Sequence, residues 1–174
     1  YAAGDGVPVR YEDAAKWSRA AAEKGDPDGC NNLAVLFLKG LGVGQDYDQA
    51  LSWYRKAADL GHAGAQNMLG SVYLTGQGAP QDLAEAQRWW GVAAEQDYAP
   101  AQYNLGGMFS RRLANDMTRD EALGWLERAA LQGHQRAAFE FAQLRAQPIP
   151  DDSPENSDAA ALDSNEGREA GANS

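Results

Sequence analysis

Residues 69–96 read LGSVYLTGQGAPQDLAEAQRWWGVAAEQ, and residues 33–60 read LAVLFLKGLGVGQDYDQALSWYRKAADL. Superposed, they share a leucine, an aromatic, two loop glycines, an aspartate, an alanine, a tryptophan and an Ala-Ala pair. The same offset of 36 residues places tryptophan at Trp17, Trp53, Trp89 and Trp125, and alanine at Ala14, Ala50, Ala86 and Ala122. Ala-Ala pairs recur at Ala21-Ala22, Ala57-Ala58, Ala93-Ala94 and Ala129-Ala130. A period of this length marks a supersecondary unit that buries its apolar face by stacking on copies of itself.

Each unit is helical twice over. From Leu83, the residues Ala86, Trp89, Trp90, Ala93 and Ala94 follow the i, i+3, i+4, i+7, i+8 spacing of an amphipathic helix. The stretch before it, with Ala65, Leu69, Val72 and Tyr73, predicts a second helix. Between them lie Gly40-Leu41-Gly42-Val43-Gly44 in one copy and Gly76-Gln77-Gly78-Ala79-Pro80 in the next, glycines able to take positive φ and end a helix. Asp46 with Gln49, Asp82 with Glu85, and Thr118 with Glu121 then give the start signal of the following helix. The recurrence of tryptophan beside the alanine pairs assigns the tryptophan stripe to the core, with Trp90 and its counterparts Tyr54 and Leu126 secondary to it.

Leu69-Gly70, Tyr73, Gly76-Gln77-Gly78, Asp82, Ala86, Trp89-Trp90 and Ala93-Ala94 resemble the pattern of the Sel-one-like repeat family, a tetratricopeptide-type helix pair. Trp53-Tyr54, Ala57-Ala58 and Gly61 repeat it. The resemblance covers residues 1–146 and implies an all-α fold, an α-solenoid (right-handed superhelix) of about four helix-turn-helix repeats. The expected units are a truncated repeat over 1–26, repeats over 27–62, 63–98 and 99–134, and a closing helix over 135–146. In the last full copy Arg112 and Ala114 stand where two loop glycines fall elsewhere, so Asn115 is expected to supply the left-handed residue. Tyr1 aligns with Phe37 and Tyr73, so the chain reads as a fragment lacking the first helix of its first unit. The side of the next helix bearing Ala14, Trp17 and Ala21 is then expected to be partly uncovered and to favour self-association. Phe139, Phe141 and Leu144 should give the closing helix its apolar face.

Past Gln147 the composition changes. Residues 147–174 hold Asp151, Asp152, Glu155, Asp158, Asp163, Glu166 and Glu169 against Arg168 alone, with three prolines and no aromatic. Such a segment cannot bury enough apolar surface to offset its ordering entropy, and is expected to be a disordered acidic tail. The formal net charge of -10 and the absence of a basic cluster argue against a nucleic-acid partner. No apolar run approaches the length that spans a bilayer, so no membrane insertion is expected of this fragment.

Candidate chemistry is sparse. His62 and His134 occupy the same inter-helix turn two units apart, which points to a turn role rather than joint metal ligation. Cys30 is the only cysteine and aligns with Gln66 and Gln102, which makes it a helix residue. Gly40 to Gly44 follows a helix, not a strand, and so lacks the context of a phosphate loop. No H-E-x-x-H or S-x-x-K motif occurs. We therefore expect no catalytic residues, no cofactor and no metal.

In tetratricopeptide relatives the first helices line an inner, concave face that binds extended peptides. Carried over on the Leu-Gly register, the expected partner-binding positions are Asn31, Val35 and Lys39, then Asn67, Ser71 and Thr75, then Tyr103 and Arg111. The resemblance implies a protein-protein interaction adaptor or scaffold with a peptide or protein partner. Its alternative is a cell-envelope enzyme related to penicillin binding or β-lactam hydrolysis. An alanine-rich, acidic chain fits a bacterial source, in cytoplasm or periplasm.

Overall fold

A computed structural model describes residues 10–114 and 116–148. Eight helices follow one another among them: α1 (Tyr11–Glu23), α2 (Pro27–Lys39), α3 (Tyr47–Asp59), α4 (Ala63–Thr75), α5 (Leu83–Glu95), α6 (Ala99–Ser110), α7 (Arg119–Leu131) and α8 (Gln135–Ala146). Each helix packs on its neighbours in sequence, as a solenoid requires. The acidic tail and the expected disorder of residues 149–174 lie outside the described residues, as does Asn115.

The helix starts form as their residues dictate. Asp46, Asp82 and Thr118 accept hydrogen bonds from the backbone N–H of Gln49, Glu85 and Glu121, and Thr118 with Glu121 completes a reciprocal capping box. Asp26, His62 and His134 do the same for α2, α4 and α8, the histidines accepting through Nδ1. Gly40 and Gly76 end α2 and α4 in the left-handed region, at φ 67° and 72°. In the last full copy it is Arg112, the counterpart of those two glycines, that takes this conformation at φ 55°. Arg112 thus takes the left-handed conformation of the first loop glycine, whereas Ala114, the counterpart of Gly42 and Gly78, does not, so this turn differs from its copies; Asn115 lies outside the described residues.

The tryptophan assignment is reversed. Trp90, Tyr54 and Leu126 are the buried residues, at 1%, 4% and 0% exposure, whereas Trp17 is 70% exposed and Trp53, Trp89 and Trp125 are half-buried. Adjacent positions on a helix point about 100° apart, so only one of the pair can face the partner helix of its own unit. A Cβ at Gly70 would lie 2.5 Å from the Trp90 ring, and one at Gly106 would lie 2.8 Å from Leu126. The glycine of each Leu-Gly pair thus exists to admit the large side chain opposite, and in the unit before, Ala34 meets the smaller Tyr54. Trp90 Nε1 also donates to the Asn67 carbonyl at 3.1 Å. The recurring tryptophans serve the junctions: Trp89 leans on the cluster around Leu33 and Leu69, and Trp125 on the one around Leu105. Three of the four carry a cation over the ring: Lys56 on Trp53, Arg88 on Trp89 and Arg128 on Trp125, at 4.9, 4.2 and 5.1 Å. Trp17 has no preceding unit among the described residues, and Ala14 and Ala21 are less buried than their copies.

A second device ties the units together. Gln66 and Gln102 are buried; their Nε2 atoms donate to the Ala58 and Ala94 carbonyls, both at 3.1 Å. Their Oε1 atoms accept from Gln96 and Gln132, at 2.6 and 2.9 Å, so each glutamine bridges the helices before and after its own. At the corresponding place in α2, Cys30 Sγ lies 3.7 Å from the Ala22 carbonyl, and Lys56 Nζ donates to that oxygen at 3.1 Å. In α8 the position is Ala138, exposed. Of the apolar face expected for α8, Leu144 is buried, Phe141 is half-buried and Phe139 is 67% exposed, because no unit follows it among the described residues.

Candidate functional site

Helices α2 and α4 carry the expected partner-binding positions at intervals of four residues, which aligns them in a stripe on each helix, while Tyr103 lies on α6 and Arg111 caps its end. Asn31, Val35, Asn67, Ser71 and Tyr103 are half-buried; Lys39, Thr75 and Arg111 are exposed. Their environments differ. Asn67 Oδ1 accepts from Asn104 Nδ2 at 2.9 Å, so this amide already spans α4 and α6. Ser71 and Thr75 direct their hydroxyl protons to the carbonyls of Asn67 and Ser71, at 3.2 and 3.0 Å, leaving oxygen lone pairs as acceptors. Tyr103 stacks on His134 with ring centroids 4.7 Å apart, and Arg111 lies 5.7 Å from its ring centroid and donates to its hydroxyl at 3.3 Å.

Around Ser71 and Thr75 the surface is concave. A groove of about 480 Å³ runs between α2 and α4, with Leu38, Met68 and Val72 on its walls and Tyr47, Leu51 and Tyr54 from α3 beneath. Leu38 belongs to the inner-face register of the family pattern, whereas Met68, Val72, Tyr47, Leu51 and Tyr54 do not. The sequence places Val72 on the periodic face of its helix, and nothing in the linear pattern says that it also lines a groove.

The titratable groups are placed for structure. Burial pushes the Cys30 thiol above its ordinary pKa, with the charge of Lys56 opposing, so it stays protonated and is a poor nucleophile. His62 and His134 are engaged through Nδ1 at helix N-termini, and His62 Nε2 faces Asp28 Oδ1 at 3.5 Å. Among the described residues no three His, Cys, Asp or Glu side chains converge as a metal site. No helix there is long and apolar enough to cross a membrane.

The Sel1 repeat matches this chain four times, at residues 1–26, 27–62, 63–98 and 99–134. The chain belongs to the Sel1 repeat family. A Sel1 repeat protein from Oxalobacter formigenes is similar in structure at 36% identity and a TM-score of 0.72, over 77% of this chain and 39% of that one. So is c5321, a protective antigen present in uropathogenic Escherichia coli strains and displaying an SLR fold, at 30% identity and a TM-score of 0.76, over 95% of this chain and 36% of that one. The chain thus spans less than two fifths of the length of either relative. No curated protein matches it. Sel1 repeats are generally protein-interaction modules, and both of these relatives are bacterial.

Proposed function

We propose that this Sel1-repeat solenoid is an adaptor that holds a peptide or protein segment along the row formed by α2, α4 and α6. The observation that supports this reading most is the groove between α2 and α4. It combines apolar walls with two hydroxyl acceptors, a lining suited to one apolar side chain and the backbone N–H groups beside it. Asn31, Val35 and Lys39 lie on α2, the helix whose Leu38 lines the groove. Asn67, Ser71 and Thr75 line or continue it on α4, and Tyr103 and Arg111 extend the row onto α6. Among the described residues the two histidines cap helices and the Cys30 thiol is buried, so neither favours the enzyme reading.

Selection of peptides from a random displayed library on the full chain, followed by affinity measurement, tests the proposal. Thr75→Arg puts a large cation at the groove rim, and Lys39→Glu reverses the charge beside it. Both residues are exposed, so neither change touches the core. Selected peptides should lose about tenfold or more in affinity, equivalent to about 1.4 kcal/mol, for Thr75→Arg. They should be indifferent to Asp48→Arg on α3. Equal binding by all three variants would place recognition elsewhere.

A further inference from the structure

The last turn and helix of the solenoid gather arginine. Arg111 and Arg112 follow α6, Arg119 opens α7, and Arg136 and Arg145 lie on α8. None has a carboxylate among the described residues within 4.0 Å. Two adjoining hollows, of about 570 and 430 Å³, share Ser110, Leu144 and Gln147 in their walls. Arg136 lines the first beside Glu140, and Arg112 and Arg119 line the second. Arg119 is partly committed, its Nη2 donating to the carbonyls of Leu144 and Gln147 at 2.7 Å each. The four others are exposed.

Gln147 and Pro148 form the rim of these hollows, and the chain leaves the described solenoid there. Asp151, Asp152, Glu155, Asp158 and Asp163 follow directly. At about 3.4 Å per extended residue, Asp151 stays within roughly 10 Å of Pro148 and Glu155 within roughly 24 Å. We infer that the chain's own acidic segment, residues 151–163, docks on the arginine-bearing hollow between the end of α6 and α8. The tether makes the encounter intramolecular, at an effective concentration of order millimolar, so a few exposed ion pairs suffice although each contributes little. Docked there, the segment lies beside Tyr103 and Arg111 and competes with any acidic ligand for that end of the row. The inference is independent of what binds between α2 and α4.

The test is paramagnetic relaxation in the full-length chain, with a nitroxide on the Asn156→Cys variant and Cys30 left buried and unlabelled. Docking is expected to broaden the backbone amide signals of Ser110, Arg136 and Gln143. The broadening should disappear with Asp151→Asn, Asp152→Asn and Glu155→Gln together, which change only the tail, and with Arg112→Gln, Arg136→Gln and Arg145→Gln together. It should also disappear on moving from 0.15 to 1 M salt, where the screening length falls from about 8 to about 3 Å. No broadening, or broadening centred on α1 to α4, overturns the inference. So does equal broadening when labelled and isotope-enriched molecules are mixed, since the occupant would then be a second copy. Broadening that survives both the salt and the two neutralised variants overturns the electrostatic basis.

Discussion

Gly70→Ala combined with Trp90→Tyr should rebuild in the third unit the contact that Ala34 and Tyr54 make in the second. Alone, Gly70→Ala gains about 0.5 to 1 kcal/mol of helix propensity. It also drives a methyl to within 2.5 Å of Cδ1 and Nε1 of an indole that is 1% exposed and cannot swing away. Overpacking of that kind costs about 1 to 3 kcal/mol, so a net loss of about 1 kcal/mol is expected where a free helix would be stabilised. Alone, Trp90→Tyr leaves a void and removes the hydrogen bond to the Asn67 carbonyl, for about 1 to 2 kcal/mol. Together, the alanine methyl fills the space that the smaller ring vacates, and the double variant should be more stable than the sum of the singles by at least about 1 kcal/mol. Urea unfolding followed by far-ultraviolet circular dichroism on the four proteins of the cycle measures this coupling. If Gly70→Ala is stabilising, or if the two changes are additive, the glycine is not there to admit the indole.

Trp90→Ala should cost about 3 to 5 kcal/mol, while Trp17→Ala, at a position 70% exposed, should leave the urea midpoint within experimental scatter. Trp53→Ala and Trp125→Ala should fall between. Arg112→Gly should raise stability by about 0.5 to 1 kcal/mol by removing the left-handed penalty, measured as a higher melting temperature. Asp97→Gly, at φ 58° where Gly25, Gly61 and Gly133 stand in the copies, should gain less, since Asp97 Oδ1 also accepts from Gln102 Nε2 at 3.4 Å. Glu121 is held below its ordinary pKa of 4.5 by hydrogen bonds from Thr118, and Glu85 by its hydrogen bond with Arg88. A carboxyl with a depressed folded-state pKa adds stability above its unfolded value and loses it as pH falls through the folded one. Glu121→Gln and Glu85→Gln should therefore flatten the decline of melting temperature on acidification below about pH 4.5; unchanged slopes would show these contacts contribute nothing.

The period made the helices legible because caps, glycines and alanines act locally, each fixing a φ or a hydrogen bond within four residues of itself. Which member of the Trp-Trp and Trp-Tyr pairs turns inward is a relation between two helices. A 36-residue spacing is equally strict for a core residue and a junction residue, so recurrence could not separate them. The signal was in the volumes, with Ala34, Gly70 and Gly106 set against Tyr54, Trp90 and Leu126. Similarly, the row of Asn31, Asn67 and Tyr103 followed from the repeat register that the family resemblance supplied. That Asn67 would be held by Asn104 depended on how far apart α4 and α6 sit, as did the opening of the groove around Met68 and Val72. Arg112 kept its left-handed turn because the chain on both sides is pinned by packing, a constraint stronger than one residue's preference.

The glutamine bridges have a consequence for how the solenoid comes apart. Gln66 and Gln102 each fasten three consecutive helices, so opening the junction on either side of them breaks an amide contact. At α2 that place holds a thiol, and the link to α1 is a lysine reaching across from α3, with its charge nearer to water. Fraying should then travel from α1 inward and pause at Gln66. Amide hydrogens of α1 should exchange first and those of α4 to α6 last, giving an array of near-identical units an unequal, directional grip on its fold.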